Sequence, residues 1–130
     1  RRGVRFVNDS KGTNVDATLK AIESIDQPIW LIAGGRDKGG DFSRLAPAIR
    51  QRVKGLILIG EATPLIAQAM AGFPAISRAA SLKEAVQAAA DSASSGGVVL
   101  FSPACASFDM FADYQDRGRQ FKALVQSLPA

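Results

Sequence analysis

Three polar loops carry the residue types in this sequence that could do chemistry. The first loop, residues 8–14, reads Asn-Asp-Ser-Lys-Gly-Thr-Asn; the second loop, residues 34–41, reads Gly-Gly-Arg-Asp-Lys-Gly-Gly-Asp; the third loop, residues 102–107, reads Ser-Pro-Ala-Cys-Ala-Ser. Together they offer ammonium and guanidinium groups, hydroxyls, and backbone N–H groups at the starts of helices. Such groups bind anions, and their number favours a dianion over a monoanion.

The sequence has few of the residues that acid–base, nucleophilic or metal chemistry usually needs. The sequence has no histidine, which removes the usual general base, nucleophile activator and zinc ligand. Cys105 is the only cysteine, so it forms no internal disulfide, fits a reducing compartment, and is interpreted as a buried or spectator thiol. The second loop has neither a Gly-Lys-Ser/Thr order nor a Gly-x-Gly-x-x-Gly run. We therefore predict no metal site and no standard nucleotide cradle.

Each loop also has a purely structural interpretation. The paired glycines of the second loop could be ordinary loop glycines. Asp9 could be a turn residue that caps Lys11 and Gly12, and Ser107 is most simply the cap of the last helix. A capping hydroxyl that faces a cleft can also bind a carboxylate, so the structural and functional interpretations are compatible.

Alternating strands and helices must position these loops. Apolar runs predict strands at residues 4–7, 29–33, 56–59, 75–78 and 98–101. Segments of helical period predict helices at residues 15–25, 43–53, from 63 onward, 81–93 and 109–128. Strands that are apolar on both faces are typical of a parallel sheet covered on both sides. The predicted fold is a Rossmann-like three-layer α/β domain with a mainly parallel sheet of about five or six strands. All three loops should then meet at one edge of the sheet.

Spacing also predicts helix ends and faces. Thr13 and Asp16 have capping-box spacing before the first helix, and Ser81 with Glu84 forms a full box before the fourth. The last helix has an apolar stripe of Phe111, Tyr114, Phe121, Leu124, Val125 and Leu128. Its charged residues Asp113, Asp116, Arg117 and Arg119 are expected to face mostly water.

Length and composition indicate one folded domain. The 130 residues are 47% hydrophobic and 22% charged, which argues against disorder. The net charge of +4 suits a phosphate or carboxylate ligand, but it is spread along the chain, so nucleic acid is not an expected partner. No apolar run is long enough for a membrane span. The chain begins without Met, close to a strand pattern, and we interpret it as a fragment of a longer protein.

The three loops closely resemble those of the C-terminal domain of the Mur ligases, in their order and in their spacing. The residues that follow the third loop share this resemblance, namely Phe108, Asp109, Phe111, Arg117 and Gly118. The resemblance covers essentially the whole chain. Ser-Pro-Ala-Cys-Ala-Ser followed by Phe-Asp is similar to the D-glutamate-adding branch of the family. It implies that residues 1–130 are the amino-acid-binding domain of a three-domain enzyme.

The resemblance also implies a reaction, an ATP-dependent amide synthesis in cytoplasmic peptidoglycan precursor synthesis. The carboxylate of UDP-N-acetylmuramoyl-L-alanine is phosphorylated, and the amine of D-glutamate attacks the acyl phosphate. In such enzymes the N-terminal domain holds the UDP substrate, and the central domain holds ATP and Mg²⁺. The chain alone is therefore expected to be inactive.

Carried across by motif, the resemblance implies roles for five residues in binding D-glutamate. Thr13 and Lys38 would bind its α-carboxylate. Ser107, the backbone around Phe108, and Tyr114 would hold its side-chain carboxylate. Lys38, Thr13 and Ser107 would thus act by positioning, not as acids or bases.

Two further residues would face the nucleotide, Asp9 at the ribose and Lys11 toward the phosphates. The chain departs from the family pattern at two places: Tyr114 stands where phenylalanine is expected, and Arg36-Asp37 stands where the loop is often smaller.

Two alternatives stay open at this point. One is the same domain of another Mur ligase or of a folylpolyglutamate synthase, although a diaminopimelate-adding enzyme would be expected to have an Asp-Asn-Pro-Arg-type motif, which this sequence lacks. The other is a non-catalytic Rossmann-like binding or receiver module. A receiver needs clustered acids after its strands, and only Asp9 and Asp37 come near that arrangement.

Overall fold

The computed structural model describes residues 3–37, 39–107 and 111–128, and strands alternate with helices through these ranges. The strands are β1 (Arg5–Asn8), β2 (Ile29–Gly34), β3 (Val53–Ile59), β4 (Ile76–Arg78) and β5 (Val98–Phe101). The α-helices are α1 (Val15–Glu23), α2 (Ala46–Arg52), α3 (Thr63–Ala69), α4 (Leu82–Ser92) and α5 (Tyr114–Gln126). A 3-10 helix at Phe42–Leu45 leads into α2. In this described part of the chain, no helix has the length and apolar character needed to span a membrane.

The strands form a parallel sheet in the order β1-β5-β2-β3-β4. Both β2 and β5 are buried along their whole length, as strands covered on both faces must be. The predicted α/β class, with a parallel sheet between two helical layers, is confirmed.

Alternate residues of each strand face opposite helical layers. Leu31 and Leu100 belong to the core that α1, α2 and α3 cover, whereas Ile32 and Phe101 belong to the core under α4 and α5. The ring of Phe101 lies 4.8 Å from that of Phe121 in α5. Burial of these side chains supplies most of the favourable free energy of folding.

Strand order creates the place where a ligand can bind. The chain runs from β1 through β2 and β3 to β4, and α4 then returns it so that β5 lies between β1 and β2. The loop after β5 therefore leads to the helical layer opposite to the one that the loops after β1 and β2 enter. Adjacent loops that leave a sheet toward opposite faces open a crevice at its carboxyl edge.

The helix that follows the second loop is interrupted where a continuous one is predicted. The predicted helix at 43–53 is a 3-10 helix followed by α2, and β3 begins at Val53. Pro47 has no N–H to donate to the carbonyl of Ser43, so the α-helical ladder cannot run through this turn. The N–H of Ala46 bonds the Ser43 carbonyl instead, which is the tighter 3-10 pattern.

The capping prediction for α4 is confirmed and that for α1 is wrong. Ser81 Oγ accepts the N–H of Glu84 at 3.1 Å, and the Glu84 carboxylate accepts the N–H of Ala80 at 2.7 Å. The N-cap of α1 is Asn14, not Thr13, and it accepts the N–H of Ala17 at 2.9 Å. An amide oxygen caps as well as a hydroxyl does, and Thr13 is left available to the adjoining cleft.

The last helix begins later than predicted, and its cap is Asp113, not Ser107. The Asp113 carboxylate accepts the N–H of Asp116 at 2.7 Å, and that of Asp116 accepts the N–H of Ala112 at 3.1 Å. This bond from Ala112, with one from Gln120, holds the pKa of Asp116 below its usual value. The resulting stabilisation exists above the ordinary pKa of the carboxyl and is lost as the pH falls through the lowered one. The predicted start at Asp109 lies outside the described residues.

Candidate functional site

Backbone hydrogen bonds join the three loops at the carboxyl edge of the sheet. Gly34 donates its N–H to the carbonyl of Pro103 at 2.9 Å, and Arg36 and Ala106 exchange two bonds of 2.9 and 3.0 Å. Ala104 donates to the carbonyl of Gly12 at 2.9 Å. The third loop is thus bonded to both of the others, and the prediction that the loops meet at one edge is confirmed.

The backbone of this junction is strained and closely packed. Ala104 has a φ of 63°, the left-handed region that non-glycine residues rarely occupy and that often marks functional segments. Gly35 has a φ of +136°, and a Cβ there would lie 2.5 Å from the carbonyl oxygen of Ala106. The glycine at position 35 is therefore required by the junction and is more than an ordinary loop residue.

A cleft of about 410 Å³ lies between the first and second loops, and half-buried Thr13 is on its wall. Its lining also includes Asp37, Gly39 and Ala104. The Asp37 carboxylate accepts the N–H groups of Gly39 and Gly40 at 2.9 and 3.0 Å, so it holds the backbone of these two glycines in place. Lys38 itself lies outside the described residues.

A second cleft of about 570 Å³ lies on the other side of the first loop, against α5. It is lined by Asn8, Ser10, Lys11, Tyr114, Gln115, Gly118, Arg119 and Lys122. Tyr114, 44% exposed, shares this cleft with three cationic side chains. The structure thus brings Tyr114 together with Lys11 and places Thr13 on a different cleft.

The remaining residues of the predicted site are buried or outside the described ranges. Ser107 is 2% exposed, and its carbonyl accepts the N–H of Phe111 at 2.9 Å. Phe108 lies outside the described residues. Asp9 is half-buried and its carboxylate accepts the hydroxyl of Ser102 at 2.7 Å. Asp9 is therefore more than a residue of a turn, although its carbonyl also accepts the N–H of Gly12.

The expectation that Arg117 faces water is wrong, since it is completely buried. One guanidinium nitrogen donates to the carbonyl of Cys105 at 2.9 Å and the other terminal nitrogen to that of Ser10 at 2.6 Å. The guanidinium carbon Cζ of Arg117 lies 5.9 Å from the centroid of the Phe101 ring. Arg117 thus connects the first loop to the third by donating hydrogen bonds to a backbone carbonyl of each.

Sequence reasoning missed Arg117 although its spacing carried a signal. Position 117 is three residues after Tyr114 and four before Phe121, which places it on the apolar stripe of the helix. A charged residue on such a stripe is buried only when its polar atoms find partners, and here backbone carbonyls of two loops provide them.

The interpretation of Cys105 as a buried thiol is confirmed, since it is 2% exposed. Among the described residues, no group of three or more His, Cys, Asp or Glu is placed to hold a metal ion. The second cleft offers three cations and is suited to bind and orient anions. The first cleft has the Thr13 hydroxyl and one cation, Arg44, among its described residues, together with the carboxylates of Asp16, Asp37 and Asp41.

In the ligase that the resemblance to the Mur ligases implies, we expect Cys105→Ser to leave the turnover within about threefold of the parent value. A buried thiol with no activating histidine does not act as a nucleophile. Steady-state kinetics would check this, and complete loss of turnover by a variant that still folds would contradict it.

A parallel sheet between two helical layers, with a crevice at the carboxyl ends of β1, β5 and β2, places this protein in the class of three-layer α/β domains. Comparison with known proteins narrows the class. The family model described as "Mur ligase, glutamate ligase domain" matches residues 1–105, and the chain belongs to this family.

Several relatives in this family are similar over nearly the whole chain. Proteins named UDP-N-acetylmuramoylalanine--D-glutamate ligase from Chlorobaculum parvum and Geotalea daltonii are 50% and 52% identical over 97% of the chain. One of the same name from Chlorobium luteolum is 48% identical over all of it. The chain spans only 27–28% of the length of these relatives.

Proposed function

We propose that residues 1–130 are the C-terminal, amino-acid-binding domain of a cytoplasmic ATP-dependent ligase that joins D-glutamate to UDP-N-acetylmuramoyl-L-alanine in peptidoglycan precursor synthesis. The observation that carries this proposal is the 48–52% identity, over 97–100% of the chain, to ligases of that name. The chain corresponds to about a quarter of such a ligase, so the other substrates would be held mainly by further domains.

The reaction needs positioning more than acid–base groups. In the proposed step the neutral amine nitrogen of D-glutamate forms a bond to the acyl carbon, and the bond from that carbon to the phosphate oxygen breaks. The amine loses one proton, which the departing inorganic phosphate takes up directly or through water. ATP, with Mg²⁺, supplies the phosphoryl group and would be bound mainly outside this chain. Orienting the amine against the acyl carbon can lower the barrier by several kcal/mol, and a closed, water-poor cleft limits hydrolysis of the intermediate.

In this proposal Thr13 and Lys38 bind the α-carboxylate of D-glutamate. Support comes from the cleft that Thr13 lines, since Asp37 and Gly39, on either side of position 38, line it too. An ammonium and a hydroxyl beside one cleft form charge-assisted hydrogen bonds with a carboxylate. Ser107, the backbone around Phe108, and Tyr114 remain the proposed partners of the second carboxylate, although Tyr114 lines the second cleft and Thr13 the first. In this proposal D-glutamate therefore has to reach from one cleft to the other past the first loop.

Asp9 and Lys11 are proposed to face the nucleotide. Lys11 lines the second cleft with Arg119 and Lys122, and three cations favour a polyphosphate over a single carboxylate. Asp9 is in the same loop, two residues before Lys11. A carboxylate there is suited to accept hydrogen bonds from ribose hydroxyls.

The proposal is tested by assaying the longer protein that contains this chain for phosphate release from ATP. We expect release that depends on both UDP-N-acetylmuramoyl-L-alanine and D-glutamate, with an amide product found by mass spectrometry. L-Glutamate, L-lysine and diaminopimelate serve as matched acceptor controls. Preferred use of one of these controls would assign the domain to a different ligase, and no amide product with any acceptor would overturn the proposal.

A further inference from the structure

We propose that Ser102 and Thr18 are positioning residues that fix the carboxylate of Asp9 for the nucleotide. The inference rests on the proposed function, which assigns Asp9 to the ribose side of ATP. Neither hydroxyl is exposed, so both act through Asp9 without touching the substrate.

The three side chains form a continuous polar chain from the interior to the first loop. Ser102 Oγ donates to Asp9 Oδ2 at 2.7 Å, across 93 positions of sequence. The hydroxyl oxygens of Ser102 and Thr18 lie 2.9 Å apart, and Thr18 Oγ1 donates to the carbonyl of Ser102 at 3.2 Å. Both residues have a relative exposure of 0%, so water does not compete for these bonds.

The first loop is built to cover this contact. An ideal Cβ at Gly12 would lie 2.7 Å from Ser102 Oγ and 2.8 Å from Asp9 Oδ2. Any side chain at position 12 would therefore push into the hydrogen bond. Gly12 is held in place from both sides, because its N–H donates to the carbonyl of Asp9 and its carbonyl accepts the N–H of Ala104. The glycine is needed here for space.

This arrangement leaves one carboxylate oxygen for a ligand. Asp9 is half-buried, and its Oδ1 accepts no hydrogen bond from the described residues. A carboxylate held at one oxygen by a buried hydroxyl has lost most of its rotational freedom. The second oxygen is therefore presented in one orientation, and less entropy is lost when a ribose hydroxyl binds it.

Thr18 restricts the serine in turn. The single proton of the Ser102 hydroxyl is donated to Asp9, and that of Thr18 to the carbonyl of Ser102. Thr18 therefore restricts the serine by holding its backbone carbonyl and by placing its own oxygen 2.9 Å from Ser102 Oγ. Hydrogen bonds to a charged group are stronger than neutral ones, so losing the Ser102 hydroxyl should weaken the orientation of Asp9 measurably.

The experiment uses steady-state kinetics of the longer ligase that contains this chain. We expect Ser102→Ala to raise the KM for ATP about tenfold while the KM for D-glutamate stays within about twofold. Thr18→Val should act in the same direction, and Thr18→Ser, which keeps the hydroxyl, should restore the parent KM. Ser92→Ala, at an exposed position at the end of α4, is the matched control and should change neither KM.

A double-mutant cycle separates positioning from general damage. In an Asp9→Ala background, Ser102→Ala should change the KM for ATP by less than about twofold, because its effect passes through Asp9. Additive effects, or equal rises in both KM values, would overturn the inference and leave the proposed function standing. If Asp9→Ala itself leaves the KM for ATP unchanged, the nucleotide role of Asp9 is wrong and the inference fails with it. Thermal unfolding of each variant identifies any that no longer folds. If Ser102→Ala does not fold, the KM for ATP of Thr18→Val compared with that of Thr18→Ser tests the inference instead.

Discussion

Arg117→Ala is expected to lower the free energy of unfolding by about 4 kcal/mol. The truncation removes the guanidinium donors from two buried carbonyls, those of Ser10 and Cys105. Each lost donor costs about 1–3 kcal/mol, and the space left beside Phe101 adds a cavity term. Urea unfolding followed by circular dichroism measures the difference.

Two variants sharpen the interpretation of that result. Arg119→Ala removes the same side chain type two positions later, where its side chain is 69% exposed and pairs with Asp116 at 3.9 Å; we expect a change within about 0.5 kcal/mol. Arg117→Lys should give an intermediate loss in the free energy of unfolding, because one ammonium group cannot reproduce the planar guanidinium group that donates to two carbonyls. If Arg117→Ala is no more destabilising than Arg119→Ala, the side chain does not hold the loops together.

In the proposed ligase, Lys38→Ala is expected to raise the KM for D-glutamate about 100-fold, with the KM for ATP within about threefold. Once the proposed ligase has closed over the cleft and excluded water, removing one partner of a buried charge-assisted pair typically costs 2–5 kcal/mol. A tenfold change corresponds to about 1.4 kcal/mol. The residues on both sides of position 38 line the cleft that holds Thr13. Initial rates at varied D-glutamate and varied ATP give the two constants.

Lys54→Ala provides the control for this measurement. Lys54 is the exposed residue near the start of β3, at the end of the strand away from the three loops, and its loss should affect neither KM. Lys38→Arg should recover part of the binding, since it keeps the charge but changes the geometry. Equal increases of the two KM values in Lys38→Ala would remove Lys38 from the acceptor site.

Local sequence pattern predicted the elements well where burial is continuous. The strand predicted at 98–101 has the same bounds in the structure, and the one predicted at 29–33 gains only Gly34. Every residue of these runs is apolar, and such a run is typical of a strand that is buried on both faces of a parallel sheet. Helix ends were harder: Asn14 and Asp113 cap where Thr13 and Ser107 were predicted. All four residue types cap helices, and spacing along the chain does not choose between them.

The sequence by itself determined the order of strands and helices, the residue types of the three loops that are suited to anions, and the resemblance to the Mur ligases. Only the tertiary structure decided that β5 lies between β1 and β2, that Arg117 is buried, and that Ser102 holds Asp9 across 93 positions. It also decided that Thr13 and Tyr114 line different clefts. The physical reason is that periodicity reports which side of an element avoids water, whereas the choice of neighbour depends on how all the elements pack together.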